Sequence, residues 1–247
     1  MPRVHGGLCQ PDDILQEFDV GMQVWRSRLM TGLWFSQLSV SLQDSLLAAA
    51  RLRHLAPGQP LFKRGDSPCG LYAVLEGSVR IGAVSVQGKE ALLSLVEAPH
   101  WFGEIGLFDG QARTHDALAE GRCALLHVPQ NVLLALLDQE PSHWRQLALL
   151  MSQKLRLTFI NLEHLSLMPA PARLAQRLLM IAEGYGETDP PRPVLQLPQE
   201  QLAAMLSLSR QTTNQILKDL QGQGIVALRY GEIEILDAQR LRALATI

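Results

Sequence analysis

The segment from Phe102 to Thr114 has the composition of a ligand-binding loop. Its three glycines let the backbone approach a ligand closely and present N–H groups to an anion. Arg113 offers a planar fork of donors that matches two phosphate oxygens at once. Glu104 can accept hydrogen bonds from sugar hydroxyls, and Thr114 adds a hydroxyl group. The segment therefore predicts a cradle for a sugar phosphate.

A second pattern predicts two short helices joined by a tight turn. Apolar residues recur at helical spacing from Leu202 to Leu206 and again from Ile216 to Leu220, with Ser209 as the N-cap of the second helix. The second helix has a polar outer face made of Arg210, Gln211, Thr212, Asn214, Gln215 and Lys218. Arg, Gln and Asn pair with base edges, which favours a DNA-binding helix-turn-helix over an ordinary amphipathic helical pair.

Together the two patterns resemble the cyclic-AMP receptor protein/fumarate–nitrate regulator (CRP/FNR) family of bacterial transcription factors. The resemblance extends from about residue 33 to 245. The residues that carry it are Leu61-Phe62, Gly65-Asp66, Leu71 to Ile81, Phe102 to Thr114, Ala172 to Ala175 and Leu208 to Thr212. Phe102 to Thr114, called the cassette below, is similar to the family's phosphate-binding cassette. The resemblance implies a ligand-binding β-roll followed by a DNA-binding domain.

The resemblance also implies roles for single residues. Glu104, flanked by Gly103 and Ile105, would contact a ribose hydroxyl. Arg113 would contact a cyclic phosphate, and Thr114 would add to the phosphate site through its backbone and hydroxyl. A cyclic nucleotide is therefore the candidate effector.

Several positions depart from the family pattern. His115 stands where a small residue is usual, and it either adds a donor to the phosphate site or faces water. Thr158 matches a threonine that meets adenine, but the next residue, Phe159, replaces a serine that reaches the base from the partner subunit. Phenylalanine cannot make that hydrogen bond, which argues against cyclic AMP. Its ring could stack on a different ligand or fill the pocket.

The recognition helix also departs from the family. Arg210 matches a base-reading arginine, whereas Gln211 replaces an acidic residue and Gln215 replaces a second arginine. Glutamine favours adenine edges over guanine. We therefore expect a palindromic operator in double-stranded DNA that differs in sequence from those of the best-known relatives.

Composition narrows the alternatives. The 247 residues carry a formal net charge of −2, and residues 170–247 hold eight basic and eight acidic side chains. DNA affinity must therefore come from charges placed on one face. The three cysteines form no CxxC motif or metal-ligand spacing, so we expect no metal site. Without a signal peptide or a long apolar run, we expect a cytoplasmic protein that does not bind membranes.

The element pattern predicts an α+β fold with a winged helix-turn-helix. We expect an N-terminal extension (1–32, with a helix from Asp13 to Leu29), a β-roll domain (33–140), a dimerisation helix (141–168) and a DNA-binding domain (169–247). Leu38 to Leu55 is predicted as helix and turn. A β-hairpin wing around Gly231 places Arg229 near its tip, as a phosphate contact or a solvated surface residue.

The dimerisation helix shows a heptad pattern. Apolar side chains alternate at steps of four and three over three heptads, interrupted by Thr158, at positions 144, 148, 151, 155, 158, 162 and 165. We call this row the seam. It predicts a parallel helical dimer, and the alternative is a helix buried within one subunit. Met168 to Pro171 ends the helix and forms the expected hinge.

These patterns favour a homodimeric transcription regulator that is controlled by an effector and that, by resemblance, contacts RNA polymerase. The first alternative is a regulator of the same fold whose pocket is closed by Phe159 and needs no ligand. An enzyme is disfavoured because the chain has no Walker loop, nucleophile elbow or HExxH motif. A regulatory subunit that contacts only protein is disfavoured by the helix-turn-helix.

Overall fold

A computed structural model describes residues 23–84, 86–87, 90–186 and 192–245 of the chain. Most of the helix expected from Asp13 to Leu29 lies outside the described residues, and residues 23–29 are helical. Two short helices follow, Leu33–Ser36 and Val40–Ala49. The second begins at its N-cap Ser39, whose side chain accepts a hydrogen bond from the Leu42 backbone N–H.

The β-roll consists of two four-stranded antiparallel sheets. Its strands are β1 (Arg51–Leu55), β2 (Pro60–Phe62), β3 (Gly70–Glu76), β4 (Ser78–Val84), β5 (Glu90–Glu97), β6 (Trp101–Phe102), β7 (Asp116–Ala119) and β8 (Cys123–Pro129). The strand orders are β1-β8-β3-β6 and β2-β7-β4-β5. The turn expected before Leu55 is wrong, because residues 51–55 pair with β8 as a strand.

Strand β3 separates two apolar cores because alternate side chains point to opposite faces. Leu71, Ala73 and Leu75 pack with the N-terminal helices. Tyr72 and Val74 pack inside the roll. Leu29 also belongs to the first core, so residues preceding the predicted boundary at 33 pack on the β-roll.

One helix lies within the β-roll and two follow it. Ile105–Asp109 is a short helix within the cassette, and Gln130–Gln139 follows β8. The long helix, His143–Leu167, has 25 residues and spans about 37 Å at 1.5 Å per residue. Its first half is anchored on the roll by buried Leu147 and Leu150, while much of its second half is exposed.

The first helix of the DNA-binding domain begins at Ala170, within the expected hinge. Helix Ala170–Ala182 has Pro169 as its N-cap, and a 3-10 turn, Gly184–Gly186, follows. The helix-turn-helix comprises Gln199–Leu206 and the recognition helix Arg210–Gly222. Strands β9 (Val194–Gln196), β10 (Val226–Arg229) and β11 (Glu232–Ile235) form an antiparallel sheet that contains the expected hairpin wing. Sequence analysis missed the last helix, Ala238–Leu244.

The two domains contact each other through strand β5. Leu92 of β5 belongs to the apolar core of the DNA-binding domain. Two polar contacts flank it: Arg192 Nη2 lies 3.1 Å from Glu97 Oε2, and Gln201 donates to Glu120. The α+β architecture with an N-terminal β-roll and a C-terminal winged helix-turn-helix is confirmed.

Candidate functional site

Two glycines shape the cassette backbone. Gly103 has φ of +102°, and a Cβ there would lie 2.7 Å from the Gly70 carbonyl oxygen. Gly70 itself has φ of +125°, and a Cβ there would lie 2.1 Å from the Val128 carbonyl oxygen. Any other residue at these positions would be strained and would force the backbone apart. The glycines therefore bring the start of the cassette directly onto β3.

Arg113 stabilises this close approach of the cassette to β3. It is only 7% exposed. Its Nη1 donates to Gly103 O at 3.0 Å, and its Nη2 donates to Gly70 O at 2.8 Å. The guanidinium carbon lies 4.4 Å from the centre of the Phe62 ring, which gives a cation–π contact. The fork expected to meet phosphate thus braces two backbone carbonyls.

Glu104 is also engaged within the protein. Its carboxylate is buried, and Lys154 Nζ donates to Oε2 at 2.7 Å. Lys154 belongs to the long helix, so this ion pair links the cassette directly to that helix. One turn later, Thr158 Oγ1 donates to the Lys154 carbonyl at 2.8 Å. Residues 154 and 158 therefore present one helical face to the cassette.

A cavity of about 630 Å³ lies between the cassette, the long helix and the DNA-binding domain. This volume is within the range of about 300–1,000 Å³ typical of small-molecule pockets. Most of the predicted effector residues line it, namely Gly103, Glu104, Ile105, Arg113, Thr114, His115 and Thr158. Phe159 is not among the lining residues and is 61% exposed, so it does not close the cavity of its own chain.

His115 lies beside the expected phosphate position. Its Nδ1 is 2.9 Å from Thr114 Oγ1. Partial burial lowers the pKa of His115, and the nearby Arg64 charge lowers it further, against an opposing effect of Asp116. The imidazole is therefore neutral at pH 7, and it can exchange one hydrogen bond with Thr114 without adding charge.

Sequence analysis missed three cations that line the cavity: Lys154, Arg177 and Arg192. A signal existed for Lys154, which lies one helical turn before the predicted Thr158. None existed for Arg177 and Arg192, because both come from the DNA-binding domain and reach the cavity only through the domain arrangement. The lining holds four basic residues and two carboxylates, Glu97 and Glu104. The cavity therefore favours an anionic ligand.

The recognition helix presents the predicted polar face to solvent. The Ser209 side chain accepts from the Thr212 backbone N–H at 3.0 Å, which confirms it as the N-cap. Arg210 is exposed and pairs with Glu200 of the preceding helix. Gln211 and Thr212 are also exposed at the N-terminal end, where recognition helices contact base edges.

Of the remaining predicted DNA-contact residues, some are exposed and others are paired within the protein. Lys218 is exposed. Asn214 donates to Gln199 at 2.8 Å, and Gln215 donates to Asp219 at 2.8 Å. On the wing, Arg229 Nη2 lies 3.0 Å from Glu234 Oε2. The Arg229–Glu234 pair can exchange with other partners, since exposed ion pairs contribute at most about 1 kcal/mol. The Gln215–Asp219 bond is also exposed, whereas the Asn214–Gln199 bond is partly buried.

Within the described ranges, no group of three or more His, Cys, Asp or Glu side chains could hold a metal ion. Among the same residues, no helix combines the length and the apolar character needed to span a membrane.

Comparison with known proteins identifies both domains. A family model described as cyclic nucleotide-binding domain matches residues 52–140, and one described as Crp-like helix-turn-helix domain matches residues 172–244. A cyclic AMP receptor protein of Thermus thermophilus is 32% identical over 203 residues, which cover 82% of this chain and 91% of the relative. A CRP-like cAMP-activated global transcriptional regulator of Mycobacterium tuberculosis is 30% identical over 78% of this chain and 89% of the relative.

Solved structures agree with this architecture. A CRP/FNR-family transcriptional regulator from Thermus thermophilus superposes with a TM-score of 0.64 and 28% identity, over 79% of this chain and 98% of the other. FixK2 from Bradyrhizobium japonicum gives a TM-score of 0.72 at 19% identity, over 80% and 98% of the two chains, and shows a shared fold.

Proposed function

Because the chain belongs to the CRP/FNR family of DNA-binding transcription regulators, we propose that it acts as a homodimer controlled by a small anionic effector bound against the cassette. The observation that carries this proposal is the cavity of about 630 Å³, which is lined by the cassette, the long helix and the DNA-binding domain. A ligand in this position contacts every element whose movement would change DNA binding.

A cyclic nucleotide is the proposed class of effector. The matching domain model, the cationic lining and the cassette glycines support it. Two relatives are named for cyclic AMP, but Phe159 lacks the hydroxyl that the family resemblance places at this position. We therefore place other cyclic mono- or dinucleotides ahead of cyclic AMP. The proposed contacts remain Gly103, Glu104, Ile105, Arg113, Thr114, His115, Thr158 and Phe159.

The Glu104–Lys154 ion pair connects the proposed effector site directly to the long helix. A sugar hydroxyl that donates to Glu104 would compete with Lys154 for the same carboxylate oxygens. The long helix would then lose or reorient its anchor on the cassette. Because the long helix leads directly into the DNA-binding domain, its displacement would change the spacing of two recognition helices.

Dimerisation through the seam is supported by exposed apolar side chains on the second half of the long helix. Leu155, Leu162 and Leu165 belong to the seam, and Phe159 lies beside it. Exposed apolar side chains at heptad spacing are expected to pack against a second copy. The dimer would place two recognition helices on one palindrome and act on promoters in the cytoplasm, together with RNA polymerase.

The alternative is a regulator of the same fold that binds DNA without an effector. A direct test selects operator DNA from a random library and then measures its affinity by fluorescence anisotropy with cyclic AMP, cyclic GMP, cyclic di-AMP and cyclic di-GMP. We expect a palindrome with half-sites about 34 Å apart. At least one nucleotide should change the affinity tenfold or more.

Two results would contradict the proposal in different ways. Specific DNA binding that none of these nucleotides changes would favour the ligand-independent alternative. Recovery of no palindrome would overturn the assignment of Arg210–Gly222 as a recognition helix in a dimer.

A further inference from the structure

Arg177 is a buried cation without a partner among the described residues. It lies on helix Ala170–Ala182 and is 8% exposed. No hydrogen bond or ion pair to its guanidinium occurs within the described ranges. Its charge acts on His164, whose pKa is lowered by burial and, to a smaller extent, by Arg177, against an opposing effect of the Glu163 carboxylate. A guanidinium stays ionised in proteins, so this arrangement is costly unless an anion compensates it.

The position of Arg177 shows where such an anion would lie. Its neighbours on the same helix, Leu174 and Leu178, are fully buried in the domain core. Arg177 instead lines the cavity, together with Ile181 on the next turn of its helix. Across the cavity are Thr158 and Asn161 of the long helix. The guanidinium therefore belongs to the wall that the DNA-binding domain contributes.

The other cations of the cavity already have partners. Lys154 pairs with Glu104, and Arg192 pairs with Glu97. Arg113 donates to two backbone carbonyls and to the Cys69 sulfur. Arg177 is thus the lining Lys or Arg residue, within the described residues, that has neither an ion-pair nor a hydrogen-bond partner. Four basic against two acidic side chains leave the lining with two uncompensated positive charges.

We propose that Arg177 is an anion-binding residue of the DNA-binding domain, which takes a phosphate or carboxylate group of a ligand in this cavity. The ligand is then an organic anion that touches the cassette with one end and Arg177 with the other. This inference rests on the proposed function, because it gives the effector a second attachment point. Such a ligand would bridge the β-roll and the DNA-binding domain.

The test measures thermal stability without nucleotide or DNA, so its outcome is independent of the effector screen. The melting temperature of the full chain is recorded in sodium chloride, sodium phosphate and sodium acetate at matched ionic strength. We expect phosphate or acetate to raise it by roughly 2–4 °C, since bound ligand stabilises the folded state. A higher melting temperature in phosphate alone would indicate a phosphate site. A higher melting temperature in both salts would indicate a site that accepts carboxylates as well.

Arg177→Met tests the residue, and Arg51→Met is the matched control, because Arg51 is exposed and does not line the cavity. In chloride, Arg177→Met should melt above the wild type, since it removes an unpaired buried charge while keeping side-chain volume. It should also lose the response to phosphate or acetate, which Arg51→Met should keep.

Three outcomes would overturn the inference. The first is an unchanged anion response in Arg177→Met, and the second is the absence of any anion response in the wild type. The third is a lower melting temperature of Arg177→Met in chloride together with a loss of dimer in sedimentation. That result would mean that the guanidinium pairs with the second copy.

Discussion

Arg113 has a structural role that its position in the cassette does not reveal. Its guanidinium donates to the carbonyls of Gly103 and Gly70 and lies against the Phe62 ring. A ligand phosphate could share this guanidinium only through donors that the carbonyls leave free. Loss of Arg113 would therefore affect the folded state as well as any ligand.

The first prediction is that Arg113→Ala destabilises the protein in the absence of ligand. Two buried carbonyls would lose their charged donor, which should lower the free energy of unfolding by about 1.5–3 kcal/mol. Chemical denaturation followed by circular dichroism measures this change. Arg113→Lys is the control, because an ammonium can still reach one carbonyl and should recover part of the loss. Unchanged stability of Arg113→Ala would mean that the bracing contacts contribute nothing.

Among the elements, the recognition helix has a capped N-terminus and an exposed polar face. Ser209 caps the helix, and the buried side chains Ile216 and Leu217 hold it on the domain core. Arg210 follows the cap directly, and its partner Glu200 is exposed. DNA can therefore replace Glu200 at little cost.

We predict that Arg210→Ala weakens binding to the selected operator by about 1–3 kcal/mol and relaxes base preference at one symmetric position. Lys218→Ala is the matched control on the same helix. Because Lys218 is a proposed phosphate contact, its loss should weaken binding to all sequences and reduce the salt dependence. Anisotropy titrations against a panel of single-base operator variants separate the two effects. An unaltered sequence preference in Arg210→Ala would assign base reading to other residues.

The two halves of the long helix have different surroundings. Its first half packs on the β-roll, and its middle carries Lys154 to the cassette. Its second half exposes Leu162 and Leu165 at 57% and 49%, away from the cavity lining. Substitutions at these two leucines therefore test the proposed dimer without altering the lining of the proposed effector site.

We predict that Leu162→Asp combined with Leu165→Asp gives monomers, because four carboxylates would face each other in an apolar interface. Sedimentation velocity measures the change, and circular dichroism checks that the fold persists. Glu163→Gln, on the same turn but outside the seam, should remain dimeric. A dimer that survives the double substitution would show that the seam is not the interface.

The parts of the structure that sequence patterns predicted are those with local signals. The cap at Ser209, the wing around Gly231 and the long helix all follow from residue spacing and turn chemistry. Strand β1 was missed because its exposed, arginine-rich sequence has no apolar alternation. The partners of Glu104 and Arg113, and the presence of Arg177 in the cavity, depend on residues far apart in the chain, which no local pattern encodes.

At the level of the whole molecule, the β-roll and the DNA-binding domain share an apolar interface, to which Leu92 and Leu95 of β5 contribute. Leu92 of β5 is buried among the side chains of the DNA-binding core, and the Arg192–Glu97 and Gln201–Glu120 pairs flank it. Burying a leucine contributes about 1.5–3 kcal/mol. We therefore expect this contact to couple the unfolding of the two domains.

The last prediction is that the full chain unfolds in one calorimetric transition and that Leu92→Asp separates it into two. The aspartate would place an unpaired charge in the domain interface, so the two domains should part while each keeps its own core. Ala91→Asp is the matched control, because Ala91 is exposed on the same strand. It should retain one transition near the wild-type temperature. A single transition in Leu92→Asp, shifted to lower temperature, would mean that the domains remain coupled without the Leu92 contact.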